Sequence, residues 1–188
     1  MNIANRLTLL RVFLSFLCVG LILKNTLVSL ILAFLLFILA SSTDFLDGYI
    51  ARKKKIVSDL GKLLDPIADK ILTIGVFCAF LQLQVINAWI VILIMVREFT
   101  ITGIRLFALN KGIVLEARRI GKHKTFSQLL GIFLIFFALI GHKKFPTSYL
   151  FAFLYYLFVP LVMWYIVIVT LLSGIYYLWL NRNIIKTF

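Results

Sequence analysis

From Phe145 to Asn181 the chain carries no charged residue. At ~1.5 Å per residue, a helix over that run is longer than the ~30 Å hydrocarbon core of a bilayer. Composition points the same way. Of 188 residues, 63% are hydrophobic and 14% charged, and the mean hydropathy is +1.07. A soluble domain is roughly 45–50% apolar and about 25% charged. These figures exclude a soluble globular domain, a disordered chain and a disulfide scaffold, and leave a polytopic helical membrane protein. Cys18 and Cys78 both fall in apolar runs, with no metal-ligand spacing, and read as packing residues.

Five further runs precede the long one. They are Leu7 to Leu23, Thr26 to Thr43, a helix from near Asp65 through Leu83, Ala88 to Leu109, and Thr125 to Ile140. Arg11 interrupts the first, and no small-residue cleavage site follows it, so a retained span is expected rather than a signal peptide. Gln82, Gln84 and Asn87 mark a short turn. In the last run, Pro160 is expected to kink one long helix, a split into two shorter spans being the lesser alternative. The expectation is an all-α integral membrane protein, a single domain over residues 1–188 with six transmembrane helices.

Six spans put both termini on one side. Fifteen Lys and Arg residues then collect on that side, against Lys24, Lys143 and Lys144 on the other. The positive-inside rule makes the crowded side cytoplasmic. Both termini are therefore expected in the cytoplasm, in a cell membrane of bacterial type. The formal net charge of +13 fits anionic lipid, not nucleic acid.

The acids are scarce and clustered. Of seven Asp and Glu, five lie between residues 44 and 69: Asp44, Asp47, Asp59, Asp65 and Asp69. Asp44 and Asp47 are three apart, and Asp65 and Asp69 are four apart, so each pair shares a helix face. Gly48 and Ala51 share the face of the first pair, and Gly61 that of the second. Small residues there permit close approach of a ligand or a helix. The stretch from Lys53 to Lys62 lets the two helices return antiparallel. Four carboxylates converging at ~4–5 Å repel by roughly 3–4 kcal/mol per pair at an effective dielectric near 20. Either some stay protonated or cations sit between them. Oxygen ligands suit Mg2+, Mn2+ or Ca2+. Two such ions would clamp a phosphoryl or pyrophosphate group, and Arg52 is a natural phosphate partner. Asp59 reads as solvated and paired with nearby lysines. Lys53, Lys54 and Lys55 read as headgroup contacts, and His123 and His142 as non-catalytic residues near helix ends.

This segment resembles the CDP-alcohol phosphotransferases. That family carries two aspartates, Gly, Ala-Arg, a further Gly and two more aspartates at fixed spacings. Here they are Asp44, Asp47, Gly48, Ala51, Arg52, Gly61, Asp65 and Asp69. The resemblance implies that Asp44, Asp47, Asp65 and Asp69 hold two Mg2+ or Mn2+ ions. It also implies that Asp69 is the base for the acceptor hydroxyl, and that Gly48, Ala51, Arg52 and Gly61 line the cytidine diphosphate. The opening NIANRLTLLRVF is similar to that of the family's phosphatidylglycerophosphate synthases, although Ala4 stands where a proline is usual. That similarity adds Asn5 and Thr8 to the CDP-diacylglycerol site. SDLGKLLDPIADK, REFTITGIR and GKHKTFSQ also look like that branch, so the resemblance runs from residue 2 to about 128.

An anionic acceptor also has independent support. Glu98 and Arg105 are seven apart on one helix face, and Lys122 and Lys124 open the next helix. Cations from two adjacent helices could meet one phosphate, with Glu98 orienting the arginine. The alternative is an ion pair of Glu98 with Arg97 or Arg105 inside the protein, and lysines that only anchor it. The resemblance implies CDP-diacylglycerol, sn-glycerol 3-phosphate and CMP as partners beside membrane lipids, with the site facing the cytoplasm. It leaves the oligomeric state open, a homodimer being one arrangement. Cationic residues alone do not separate glycerol 3-phosphate from inositol phosphate. Inositol-phosphate and cardiolipin types of synthase are the nearest alternatives within the family, and a cation transporter using the same carboxylates is the alternative outside it.

The charge asymmetry sets a test of topology. A cysteine replacing Lys54 should react with an impermeant thiol reagent only from the cytoplasmic face, and one replacing Lys143 only from the opposite face. Reversed labelling would refute the orientation, and same-side labelling the span count.

Overall fold

A computed structural model describes the backbone of residues 3–54, 59–110 and 119–182, and the side chains of 8–42, 67–68, 70–108 and 124–182. Among the described residues the chain is all-helical. The elements are α1 (Ile3–Lys24), α2 (Leu27–Lys54), α3 (Asp59–Gln82), α4 (Ala88–Asn110), α5 (Arg119–Lys144), α6 (Tyr149–Phe153), a π turn (Leu154–Phe158) and α7 (Val159–Leu180). Helices suit such a composition because they satisfy every backbone polar group within the segment, which lipid cannot do.

Polar side chains define the connections. Asn25 takes a left-handed conformation (φ 50°) after α1, which asparagine tolerates. At the start of α2, the Thr26 N–H donates to Ser29 Oγ (3.0 Å) and the Ser29 N–H donates to Thr26 Oγ1 (3.1 Å). This reciprocal cap satisfies two otherwise orphaned donors. Gln84 is the second left-handed residue (φ 59°). Asn87 Oδ1 accepts from the Trp89 N–H at 2.9 Å and caps α4. The α3–α4 turn thus falls where the polar residues 82–87 place it.

Helix contacts close a ring. α1 packs on α2 and α3, and α7 packs on α4 and α5, while α2–α5 and α3–α4 contacts join the two groups. The α2–α3–α5 junction is aromatic. Phe136 meets Phe34, Phe37 and Phe80 at centroid distances of 5.3, 6.1 and 5.2 Å, and Phe133 meets Phe34 and Phe37 at 5.5 and 5.9 Å. Edge-on and tilted geometries of this kind suit aromatic quadrupoles.

The outside is as apolar as the inside. Phe13, Phe16, Val28, Trp89, Phe99, Phe126, Ile168 and Leu172 are each more than half exposed. Arg11, Glu98, Lys124 and Gln128 are buried. A contiguous apolar exterior over polar interior groups is the surface of a protein that sits in lipid. Among the described residues, two helices are long and apolar enough to cross a bilayer, Lys124–Lys144 and Tyr149–Leu180. Leu27–Ser42 and Lys70–Gln82 are shorter apolar helices.

The last run stays one helix through Pro160, the arrangement expected over a split, while two other expectations change. The π turn accommodates the proline: the Val159 N–H reaches back to the Leu154 carbonyl, and the wider turn lies just before the residue that lacks an N–H. The connection expected from Lys53 to Lys62 is shorter, since Lys53 and Lys54 end α2 and Asp59 begins α3. Lysine and leucine are good helix formers and extend both ends. Cys78 is exposed rather than packed inside, whereas the buried Cys18 thiol donates to the Ala33 carbonyl at 3.3 Å.

The aromatic junction makes a graded stability test. Phe136→Ala should destabilise the protein by about 3–5 kcal/mol through cavity formation. Phe137→Ala, one residue on and 58% exposed, should change it little. Thermal unfolding of both variants in detergent measures the difference.

Candidate active site

Both aspartate pairs lie on regular helix, Asp44 and Asp47 on α2 and Asp65 and Asp69 on α3. At 3.6 residues per turn, three residues return to within about 60° and four to within about 40° of the starting direction. α2 and α3 also touch one another. Gly48, Ala51 and Arg52 follow on α2, and Gly61 on α3. The side chains of these eight residues, and those of Asn5 and Lys122, lie outside the described ones. Thr8 is buried on α1. Two pairs of hard oxygen donors are the ligand type that a divalent cation takes.

Next to that segment, the structure brings three charged helices together. Glu98 of α4 is 3% exposed. Its carboxylate pairs with Lys70 of α3 and Lys124 of α5. Lys124 is equally buried, and Lys70 is 18% exposed. The Gln128 side-chain amide, one turn beyond Lys124, donates to Glu98 Oε1 at 3.4 Å. Arg97 Nη1 approaches the same oxygen at 3.4 Å. A carboxylate in a lipid-embedded bundle needs this much compensation, because removing charge from water costs several kcal/mol per ion.

Arg97 carries the network to α7. Its Nη2 donates to Ser173 Oγ at 3.1 Å, and the Ser173 hydroxyl donates to the Thr170 carbonyl at 2.7 Å. Gly174 makes room for the arginine: a methyl group there would sit 3.0 Å from Arg97 Cγ. Two turns along α4, Arg105 is exposed and lies over the Tyr177 ring at 5.9 Å. Arg97 Nε, Thr170 Oγ1 and the Tyr177 hydroxyl are buried without a hydrogen-bond partner among the described residues.

Of the residues expected at an acceptor pocket, Glu98 and Lys124 therefore meet, while Arg105 lies against α7. Glu98 pairs with Arg97, as the in-protein alternative expected, and also with the partly exposed Lys70, one of the fifteen cations assigned to the cytoplasmic side by the charge count. Ser173 carries no expectation from sequence, and Gln128 enters only within the GKHKTFSQ segment, with no partner assigned. They are neutral residues far away in sequence, and nothing in the pattern pairs them with residues 97 and 98. Arg11, also among the fifteen cations assigned to the cytoplasmic side, is 1% exposed on the α1 face shared with buried Thr8 and Ser15. The Ser15 hydroxyl donates to the Arg11 carbonyl at 2.7 Å. Its signal was available: an arginine inside an apolar run, three residues from a threonine and four from a serine, marks a polar stripe facing the bundle.

Comparison with known proteins bears on what this arrangement does. Residues 1–176 match the family model described as CDP-alcohol phosphatidyltransferase. A Bacillus subtilis protein named CDP-diacylglycerol–glycerol-3-phosphate 3-phosphatidyltransferase is 39% identical over 153 residues, covering 81% of this chain and 75% of its own. A protein of the same name from Rickettsia bellii is 33% identical over 176 residues, covering 94% and 93%. Another from Rickettsia typhi is 36% identical over 149 residues, covering 79% and 82%.

The α4–α7 contact can be tested directly. Ser173→Ala leaves a buried guanidinium short of one acceptor. The loss should be about 1.5–3 kcal/mol, the usual range for a hydrogen bond to a charged group. Ser148→Ala, whose side chain makes no capping hydrogen bond at the start of α6, should cost much less in the same unfolding assay.

Proposed function

Because the chain belongs to the CDP-alcohol phosphatidyltransferase family, we propose that it moves the phosphatidyl group of CDP-diacylglycerol onto sn-glycerol 3-phosphate. The products are phosphatidylglycerol phosphate and CMP. The observation that carries the reading is the Asp44–Asp69 segment, two aspartate pairs on touching helices, in a chain whose relatives bear that enzyme's name.

In this reading Asp44, Asp47, Asp65 and Asp69 hold two divalent cations, Mg2+ or Mn2+. When bound, these neutralise the pyrophosphate and the charge that develops on departing CMP. Arg52, Gly48, Ala51 and Gly61 hold the cytidine diphosphate, with Asn5 and Thr8 on the α1 side. Asp69 accepts the proton of the acceptor's primary hydroxyl as that oxygen attacks phosphorus. Arg105, Lys122 and Lys124 take the acceptor phosphate, and Glu98 sets the lysine's position. The unsatisfied polar atoms of Arg97, Thr170 and Tyr177 support a polar, hydroxylated acceptor on this side of the bundle.

The whole chain acts as one six-span membrane domain with both termini and the site at the cytoplasmic face. Setting aside Arg11, Lys70 and Lys124, whose charges are buried or paired inside, twelve cations still oppose three. Glycerol 3-phosphate and CMP exchange with the cytoplasm, and the diacyl tails enter from the surrounding lipid. The apolar exterior offers a second copy of the chain the same surface it offers lipid.

Steady-state kinetics on purified protein test the assignment. CMP release from CDP-diacylglycerol should require both glycerol 3-phosphate and a divalent cation. Asp69→Asn should lower kcat by about 100-fold or more, the usual loss for a general base. Asp44→Asn, Asp47→Asn and Asp65→Asn should weaken metal activation and recover partly in excess Mg2+ or Mn2+. Arg105→Ala should raise the acceptor KM about ten-fold, the loss of one charged hydrogen bond, and leave the donor KM alone. Arg52→Ala should do the reverse. Near wild-type rates in all four aspartate variants would sink the site. Activity with inositol phosphate in place of glycerol 3-phosphate would move the chain to another branch of the family.

A further inference from the structure

Lys70 follows Asp69 directly on α3, and its ammonium is held by a carboxylate on another helix. The same carboxylate holds Lys124 on α5, and Gln128 one turn further along α5. Three helices therefore share one anchor. A buried ion cluster of this kind is a weak device for stability alone. Well-packed apolar residues of similar volume are often as good or better, and the best-attested use of such clusters is to fix register.

Register is what matters at this place. Each residue step turns a helix by about 100°. Rotating α3 by one step would carry Lys70 away from Glu98. It would turn the positions of Asp65 and Asp69 by the same angle. Apolar contacts tolerate such slippage because side chains of similar size substitute for one another. An ion pair with two lysines does not.

We propose that Glu98 is a positioning residue: by binding Lys70 and Lys124 it locks the rotation of α3 against α4 and α5, and so sets the metal-binding geometry of Asp65 and Asp69 without touching substrate. This rests on the metal site proposed above. Groups that orient metal ligands from outside the ligand set typically control about 10–100-fold in metal affinity or activity.

The test uses full-length protein in detergent, with Mn2+ binding read by electron paramagnetic resonance alongside kinetics. Glu98→Gln, which keeps the shape and removes the charge, should weaken Mn2+ binding about ten-fold and lower kcat by a similar factor. The acceptor KM should also rise, because Glu98 positions Lys124, but by a smaller factor than the Mn2+ affinity falls. Glu98→Asp keeps the charge and should recover part of both losses. Lys70→Gln should reproduce the Mn2+ defect, and the double variant Lys70→Gln/Glu98→Gln should be no worse than the single ones, as expected for one shared interaction. Lys70→Gln serves as the second variant if Glu98→Gln fails to fold. Normal Mn2+ affinity and kcat with a lower melting temperature would make Glu98 merely structural and overturn the proposal. A raised acceptor KM with unchanged Mn2+ binding would place Glu98 in the acceptor pocket and overturn it too. Additive effects in the double variant would also count against it. Wild-type protein that neither binds nor needs a divalent cation would refute the metal site itself, and the positioning role with it. Wild-type binding with an unaffected Glu98→Gln would refute the positioning role alone.

Discussion

A carboxylate cannot sit alone in a bundle surrounded by lipid, and Glu98 shows what that constraint does to a fold. Removing its charge from water is costly, and the cost is offset only where cations and donors converge with good geometry. Lys70, Lys124, Arg97 and Gln128 supply them from α3, α4 and α5. Arg97 then needs its own acceptor and finds Ser173 on α7. One buried charge thus ties four helices together.

The remaining contacts are of a different kind. Between helices in lipid there is little hydrophobic gain, since the tails are as apolar as leucine, and association relies on shape and on polar bonds. The phenylalanine junction of α2, α3 and α5 contributes shape. The Glu98 network contributes direction. The two meet on α3 and α5: Phe80 and Phe136 belong to the first, Lys70 and Lys124 to the second. α3 is thereby held along its length by packing at one end and by charge at the end that carries the aspartates.

Much of the fold was legible because lipid leaves the backbone few choices. Apolar runs become helices, and the polar breaks at Lys24–Asn25, Gln82–Asn87 and Lys143–Lys144 fall at or just past helix ends. The aspartate segment was legible because its spacings are local and the chemistry needs them. Pairing across the bundle was not. Gln128 and Glu98 are thirty residues apart, and Arg97 and Ser173 seventy-six, so no periodicity links them. Lys70 read as one more cytoplasmic-side cation because its partner lies on the next helix. The π turn before Pro160 was hidden for another reason. A proline in a helix can be met by a kink, a break or a widened turn, and the choice depends on what α5 packs against it.

That widened turn has a consequence for depth in the bilayer. By keeping the helix unbroken, it makes Tyr149–Leu180 a single rod of 32 residues, ~48 Å long. Fitting the rod wholly inside a ~30 Å core would take a tilt of about 50°, beyond the 0–40° range that spanning helices show. Even at about 40° it spans ~37 Å. A bilayer crossed by such a rod would leave its ends in the headgroup layer. At the C-terminal end, Arg182 lies 5.2 Å from the Trp179 ring, a pairing suited to that layer. Ser173 sits two turns below, ~10 Å from the end of the rod. In a bilayer crossed by this rod, the Arg97–Ser173 bond would lie nearer the headgroup layer than the midplane.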